Sequence, residues 1–281
     1  MVSQLKEKPL LCPNCGKLIG RSELVCPYCN LTNPGSWLKG SSFARRLAGQ
    51  NRTIRAILLC NVVMFIVSVF IDLQSLNFSA SPFHFLSPGS NSLLALGSTG
   101  TIPMFQFHHY WSLISANYLH ASLLHILFNM IALLQLAPLV SIEYGENRMI
   151  IIYTVGGVVG YILSIAAGVQ LTLGASAAIC SLLGALLYFG KSRGGDYGQN
   201  IFRQVGGWAV GIAIFGFIVP GINNWAHGGG MLAGVVLGFL LGYSEHKPEL
   251  PIHRVMATSC IVITGGVLVW SCLYGVALHS L

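Results

Sequence analysis

Leu173-Gly174-Ala175-Ser176-Ala177-Ala178-Ile179 is a run of small residues that opens an apolar segment and sets one hydroxyl at its start. Such a run reads as the mouth of a membrane helix, where small side chains let neighbouring backbones approach closely. Two further stretches carry polar groups into apolar surroundings: His125-Ile126-Leu127-Phe128-Asn129 and Ala226-His227-Gly228-Gly229-Gly230. The i, i+4 spacing of His125 and Asn129 puts both on one helix face. Whether these four polar side chains form one site depends on how the chain crosses the bilayer.

Of 281 residues, 54% are hydrophobic and 8% charged, whereas a soluble domain carries about 25% charged residues. The chain is therefore expected to be an all-α polytopic membrane protein with the lipid bilayer as its surroundings. Apolar runs at about 54–72, 113–138, 149–168, 174–190, 205–220, 225–243 and 255–278 are each close to the roughly 20 residues a spanning helix needs. Residues 1–50 hold no apolar run fit for a signal peptide, so the first span is expected to direct insertion itself.

Lys and Arg gather in the N-terminal segment, at Arg148, in the loop with Lys191, Arg193 and Arg203, and in the loop with Lys247 and Arg254; the alternate connections have none. The positive-inside rule puts the N-terminus in the cytoplasm and the C-terminus outside, with a prokaryotic plasma membrane as the expected location. It also accounts for the net charge of +7, and no nucleic-acid partner is expected. The connection 73–110, rich in Phe, Leu, Pro and His, reads as a partly embedded outer loop.

With that orientation the second, fourth and sixth spans all enter from outside, so His125, Asn129, Ser176 and His227 are expected at one depth. Gly230 and Gly234 form a Gly-x-x-x-Gly on the sixth span, and Ala177, Ala178, Ser181 and Gly184 give the fourth a thin surface, so the two helices are expected to be able to pack with backbones close together. A neutral imidazole within reach of a serine can take its proton as the oxygen attacks an amide carbon. Asn129, His125 and the backbone N–H of Ser176 are candidate donors to the resulting oxyanion.

The N-terminus carries a different chemistry. Cys12-Pro13-Asn14-Cys15 and Cys26-Pro27-Tyr28-Cys29 place two Cys-x-x-Cys pairs around a ten-residue spacer. Two such turns complete a tetrahedral four-thiolate site for structural zinc, with iron and a disulfide pair as the alternatives. Four thiolates leave no open position for catalysis, so no cofactor is expected for the chemistry in the membrane. Residues 10–31 resemble a zinc ribbon, and so small a module would draw much of its folding free energy from the metal. The expected organisation is a cytoplasmic zinc ribbon over 1–35, a basic linker over 36–53, a six-span core over 54–245, and a loop with a seventh span over 246–281. A protein partner is the further expected role of the ribbon.

The order His120-x4-His125-Ile-Leu-Phe-Asn129, then Gly174-Ala175-Ser176, then Ala226-His227-x2-Gly230-x3-Gly234 resembles the rhomboid family of intramembrane serine proteases over about residues 54–245. The resemblance implies a rhomboid-like six-helix bundle plus a seventh span. It makes Ser176 the nucleophile, His227 the general base and acid, and His125 with Asn129 the oxyanion stabilisers, acting on transmembrane protein substrates. Trp111 matches the tryptophan of the family's outer-loop Trp-Arg pair, and Tyr144-Gly145 the turn after the second span. Departures are Ala177 for the glycine after the serine, which adds a methyl near the oxyanion, Cys180 for an aromatic residue, Ser112 for the arginine, and Ser141 for an acidic residue, with Glu143 nearby.

Taken singly, the same residues have plainer readings. A serine in an apolar helix is commonly back-bonded packing, and His120 is expected to be a structural hydrogen-bonding residue. Cys60, Cys180, Cys260 and Cys272 read as apolar packing. His84, His108, His109, His246, His253 and His279 read as loop or interfacial side chains. The rival functions are a catalytically silent relative that binds membrane proteins and steers their turnover, and a transporter using His125, Asn129 and His227 along a polar path.

Overall fold

The computed structural model describes residues 10–12, 18–20, 23–28, 32, 51–78 and 85–279, and the chain divides into two compact units, Met1–Arg55 and Ala56–Leu281. In the first unit, β1 (Leu10–Leu11) pairs antiparallel with β2 (Leu18–Ile19), and Val25 bridges Thr32. Each Cys-x-x-Cys stretch therefore lies between two paired segments. Cys12 and Cys26 are buried with Ile19 in one cluster, while Cys15, Cys29, His84 and most of the linker lie outside the described residues.

From the linker onward the chain is helical. α1 (Arg52–Phe70) is followed by a short hairpin, β3 (Asn77–Phe78) with β4 (Phe85–Ser87), and by three short helices, α2 (Ser90–Ala95), α3 (Thr101–Phe105) and α4 (Ser112–Ser115). A 3-10 turn, Ala116–Tyr118, leads to α5 (Leu123–Tyr144), α6 (Glu146–Ala166), α7 (Ser176–Arg193), α8 (Gly195–Ile218), α9 (Asn224–Leu241) and α10 (Pro251–His279). Among the described residues, six helices, α1, α5, α6, α8, α9 and α10, are long and apolar enough to cross a membrane. The chain is a multi-pass integral membrane protein. α7, the fourth expected span, is less apolar because it ends in Lys191 and Arg193; it is surrounded by α5, α6, α8 and α9 and buries most of its residues, so its surface meets protein rather than lipid.

The second span begins later than its composition suggests. Residues 112–118 form separate short turns, Leu119 is extended, and Ser122 then caps α5 by accepting the backbone N–H of His125 at 3.3 Å. His125 thus stands in the first turn of α5, not several turns inside it. The fifth span begins earlier than expected, since α8 starts at Gly195.

Glycine sets the spacing at the centre. A Cβ on Gly230 would collide with the Ala177 carbonyl oxygen, one on Gly234 with the Ser181 carbonyl, and one on Gly184 with the Met231 carbonyl. α7 and α9 are therefore in backbone contact, as close approach of small residues permits. α6 lies against both, with Gly156 beside Ser181 and Gly160 beside Ala226 and Gly230.

Residues 97–101 of the connection before α4 are stitched to the segment before α7. Thr99 and Thr172 exchange backbone hydrogen bonds of 2.9 and 2.6 Å, and Thr101 N donates to Val169 O at 2.9 Å. Ser112 donates to Thr99 Oγ1 at 2.9 Å and Ser115 to Gly97 O at 2.8 Å, so short hydroxyls tie down the loop beside Trp111. α10 docks here: Ser271 donates to Leu96 O at 2.6 Å, and His109 Nε2 lies 3.2 Å from Tyr274 Oη. His109, expected at an interface, is in fact buried, and burial lowers its pKa.

At the opposite end Arg148 is fully buried, contrary to the solvated loop cation its sequence position suggests. Its guanidinium donates to Lys247 O (2.9 Å), Pro248 O (2.6 Å), Tyr144 O (3.3 Å) and His253 Nδ1 (3.2 Å). His253 is accordingly buried within α10 rather than interfacial. Glu249 accepts the N–H groups of Asn147 and Arg148 at 3.1 and 3.4 Å, capping the start of α6, where carboxylates are favoured. Arg193 pairs with Glu245 at 2.6 Å and holds its carboxyl below the usual range. Arg148, Arg193 and Lys247 thus share one end of the bundle.

Candidate active site

Ser176 is the first residue of α7, and Gly174 shapes the turn before it. Gly174 has φ +128, a region that favours glycine, and a Cβ there would meet His125 Cε1 and Nε2 at 2.8 Å and come within 3.7 Å of Ser176 Oγ. A side chain at position 174 would therefore fill the space in which the His125 ring faces the serine. Tyr161 of α6 holds the turn from behind, its hydroxyl donating to Gly174 O at 2.6 Å, and Gly174 N donates to Ala116 O at 2.8 Å.

His227 lies in the first turn of α9, and its Nε2 is 2.8 Å from Ser176 Oγ. That is hydrogen-bond distance for an O–H···N pair. With Nε2 accepting from the hydroxyl, the ring proton of neutral His227 sits on Nδ1, which is buried with no hydrogen-bond partner among the described residues. The arrangement is a two-residue one; no carboxylate among those residues hydrogen-bonds the imidazole.

His125 faces the same serine from α5. Its Nδ1 accepts the Ala121 backbone N–H at 3.3 Å, so the neutral ring carries its proton on Nε2, the nitrogen packed against Gly174 beside Ser176. A second donor set comes from α7 itself. Its first ordinary helical bond is Ile179 N to Ala175 O at 2.9 Å, which leaves the earlier N–H groups for other partners. Asn129 is buried one turn after His125, where its Nδ2 donates to the His125 carbonyl at 2.9 Å. In this arrangement one amide proton of Asn129 holds α5 and does not face the serine.

The family departures have structural answers. The Ala177 methyl packs toward α6, 3.2 Å from where a Gly160 Cβ would stand and in a cluster with Ala116, Tyr161 and Ala226, rather than into the space by the serine. Cys180 is buried one turn further along α7. His120 is fully buried with its ring 5.0 Å from that of His125, edge to face, and neither of its nitrogens has a hydrogen-bond partner among the described residues. It is a packing neighbour of His125 rather than the hydrogen-bonding residue expected.

Two residues not singled out by sequence frame the pair. Tyr161 lies in an apolar run with no pattern to mark it, whereas Asn223 carries a readable signal as the cap of an apolar helix. Its Oδ1 accepts the Ala226 N–H at 3.0 Å.

Residues 108–244 match the family model described as the Rhomboid domain. The chain is 33% identical over 178 residues to Rhomboid protease GluP of Bacillus subtilis (strain 168), covering 62% of this chain and 34% of that protein. It is 31% identical over 163 residues to RHOMBOID-like protein 4 of Arabidopsis thaliana, covering 57% and 41%, and 30% identical over 176 residues to Rhomboid-like protease 5 of Toxoplasma gondii, covering 59% and 20%. The chain spans a third to a half of the length of the first curated relatives it matches, with coverages of 34%, 41% and 52%.

Proposed function

The chain carries a Rhomboid domain over residues 108–244 and has rhomboid-family homologues, and from that premise we propose that it is an intramembrane serine endopeptidase acting on transmembrane proteins. The observation that carries the proposal is the 2.8 Å contact of His227 Nε2 with Ser176 Oγ. Two of the relatives are named as proteases, GluP and Rhomboid-like protease 5, which adds support.

In the proposed reaction the Ser176 oxygen attacks the scissile carbonyl carbon while its proton passes to His227 Nε2. Negative charge gathers on the former carbonyl oxygen, where the His125 Nε2–H and the first N–H groups of α7 are the donors, with the Asn129 amide proton that does not bind the His125 carbonyl as a further one. Removal of one such donor typically costs about 10²–10³ in rate. The imidazolium then returns its proton to the leaving amine as the C–N bond breaks, leaving an ester on Ser176. His227 next takes a proton from water, whose oxygen attacks the ester carbon, and returns it to the Ser176 oxygen as the ester C–O bond breaks, freeing the second product and restoring the starting pair. No carboxylate is required if the imidazolium exists only briefly between the two transfers.

The N-terminal unit is proposed to hold structural zinc through Cys12, Cys15, Cys26 and Cys29. The paired segments around each Cys-x-x-Cys stretch and the burial of Cys12 beside Cys26 fit a thiolate pair from each turn meeting at one point. Bound zinc would contribute folding free energy, and Cys12→Ser should lower metal content measured on purified protein. The proposed orientation, cytoplasmic ribbon and outward C-terminus in a prokaryotic plasma membrane, rests on the clustering of basic residues.

The test is labelling by a fluorophosphonate in liposomes alongside cleavage of a transmembrane reporter. Wild type is expected to label and cleave, and Ser176→Ala and His227→Ala to do neither while remaining inserted. Cleavage by inserted Ser176→Ala would overturn the proposal, and an unlabelled, inactive wild type would favour the silent binder.

A further inference from the structure

Asn223 stands four residues before His227, as Thr172 stands four before Ser176. The Asn223 Nδ2 donates to Thr172 Oγ1 at 2.9 Å and to Ser164 Oγ at 2.6 Å. Its Oδ1 accepts the Ala226 N–H at 3.0 Å, and its carbonyl accepts the His227 N–H at 3.1 Å. Because an acceptor must face Ala226, the amide has one orientation, and both of its protons are then directed at hydroxyls. The segments that carry serine and histidine therefore meet at two rungs, Thr172 with Asn223 and Ser176 with His227, at 2.9 and 2.8 Å.

Along the rest of their length α7 and α9 touch through Gly184, Gly230 and Gly234. Backbone contact sets how near the two axes come; a side-chain contact between the helices, Tyr188 edge to face with Phe239, lies at their far ends, so rotation and axial slide beside Ser176 and His227 depend on other restraints. Hydrogen bonds are directional and supply both. The anchor is itself held: Thr172 is bridged to Thr99, and Thr99 Oγ1 accepts from Ser112.

We propose that Asn223 is a positioning residue for His227. Through Ser164 of α6 and Thr172 of the α6–α7 loop it sets the rotation and register of the first turn of α9, and hence the Ser176–His227 distance. The inference rests on the assignment of Ser176 and His227 as the reacting pair. Asn223 acts through His227 and does not touch the substrate.

The test uses the full chain in proteoliposomes and compares wild type, Asn223→Ser, Thr172→Val, Thr172→Ser and the double variant Ser164→Ala/Thr172→Val. Serine at 223 keeps a capping oxygen but is too short to reach Ser164 and Thr172. Measured quantities are kcat and KM for a transmembrane reporter, the fluorophosphonate labelling rate, and the thermal unfolding midpoint. In Asn223→Ser and in the double variant, kcat and labelling rate are expected to fall on the order of 10²-fold, with KM within about twofold of wild type. Thr172→Ser is expected to retain activity that Thr172→Val loses, and combining Asn223→Ser with the double variant is expected to add little. If Asn223→Ser does not insert, the Thr172 pair carries the comparison. Wild-type rates throughout, or losses that follow the unfolding midpoint alone, would overturn the proposal. Failure of wild type to label would instead overturn the assignment of the reacting pair.

Discussion

Gly230 and Ala177 are in backbone contact: a Cβ at 230 would overlap the Ala177 carbonyl oxygen, one residue from Ser176. Gly230→Ala should push α9 from α7 and cost about 1–3 kcal/mol, the usual range for overpacking. Because the displacement falls beside the Ser176–His227 contact, activity should drop further than stability does. Parallel unfolding and labelling measurements check this, and a Gly230→Ala protein with wild-type stability and labelling rate would contradict it. Gly206→Ala in α8, where no atom lies within 4 Å, is the neutral control.

His125 presents Nε2–H toward the serine because Ala121 N–H occupies its Nδ1. His125→Ala should lower kcat by about 10²–10³ while leaving KM and the unfolding midpoint little changed. Steady-state cleavage kinetics give the answer; a loss confined to KM would assign His125 to substrate binding.

Arg148 satisfies the carbonyls of Tyr144, Lys247 and Pro248. Arg148→Met strands them, and each buried unpaired acceptor costs about 1–3 kcal/mol. The α9–α10 loop should then open to a glutamate-specific protease at Glu245 and Glu249. Arg148→Lys should be intermediate, since an ammonium cannot reproduce the planar fork. Equal resistance of wild type and Arg148→Met would show that the clamp is dispensable.

His109 is buried against Tyr274, and its pKa is lowered by that burial. A histidine depressed in the folded state takes up protons more readily when unfolded. Its contribution to stability is complete above the ordinary value of about 6.5 and is lost as pH falls through the folded value. Acidification should therefore loosen the contact between α10 and the loop that carries His109. Unfolding midpoints of wild type and His109→Phe at neutral and mildly acidic pH should converge on acidification, and parallel pH profiles would exclude this role.

The spans were legible because apolar runs of membrane length need no tertiary information, but their ends were not. α5 starts at Leu123 because Ser122 caps it and Leu119 is extended, local events hidden inside a continuous apolar stretch. Tyr161 and Ser164 looked like ordinary residues of an apolar helix until the fold set them beside Gly174 and Asn223. Arg148 looked like a loop cation, and only the return of the α9–α10 loop supplies the carbonyls that bury it.

By itself the sequence determined that the chain lives in a membrane, that its helices touch through small residues, and that Ser176, His125, Asn129 and His227 are the polar groups worth attention, because composition and spacing survive without coordinates. The tertiary structure decided which of them meet. Ser176 and His227 come to 2.8 Å across 51 residues of chain, Asn129 turns back to its own helix, and Asn223 joins the two converging segments. Such meetings depend on glycine-limited backbone separations and on hydrogen-bond directions, and neither is written in the order of residues along one helix.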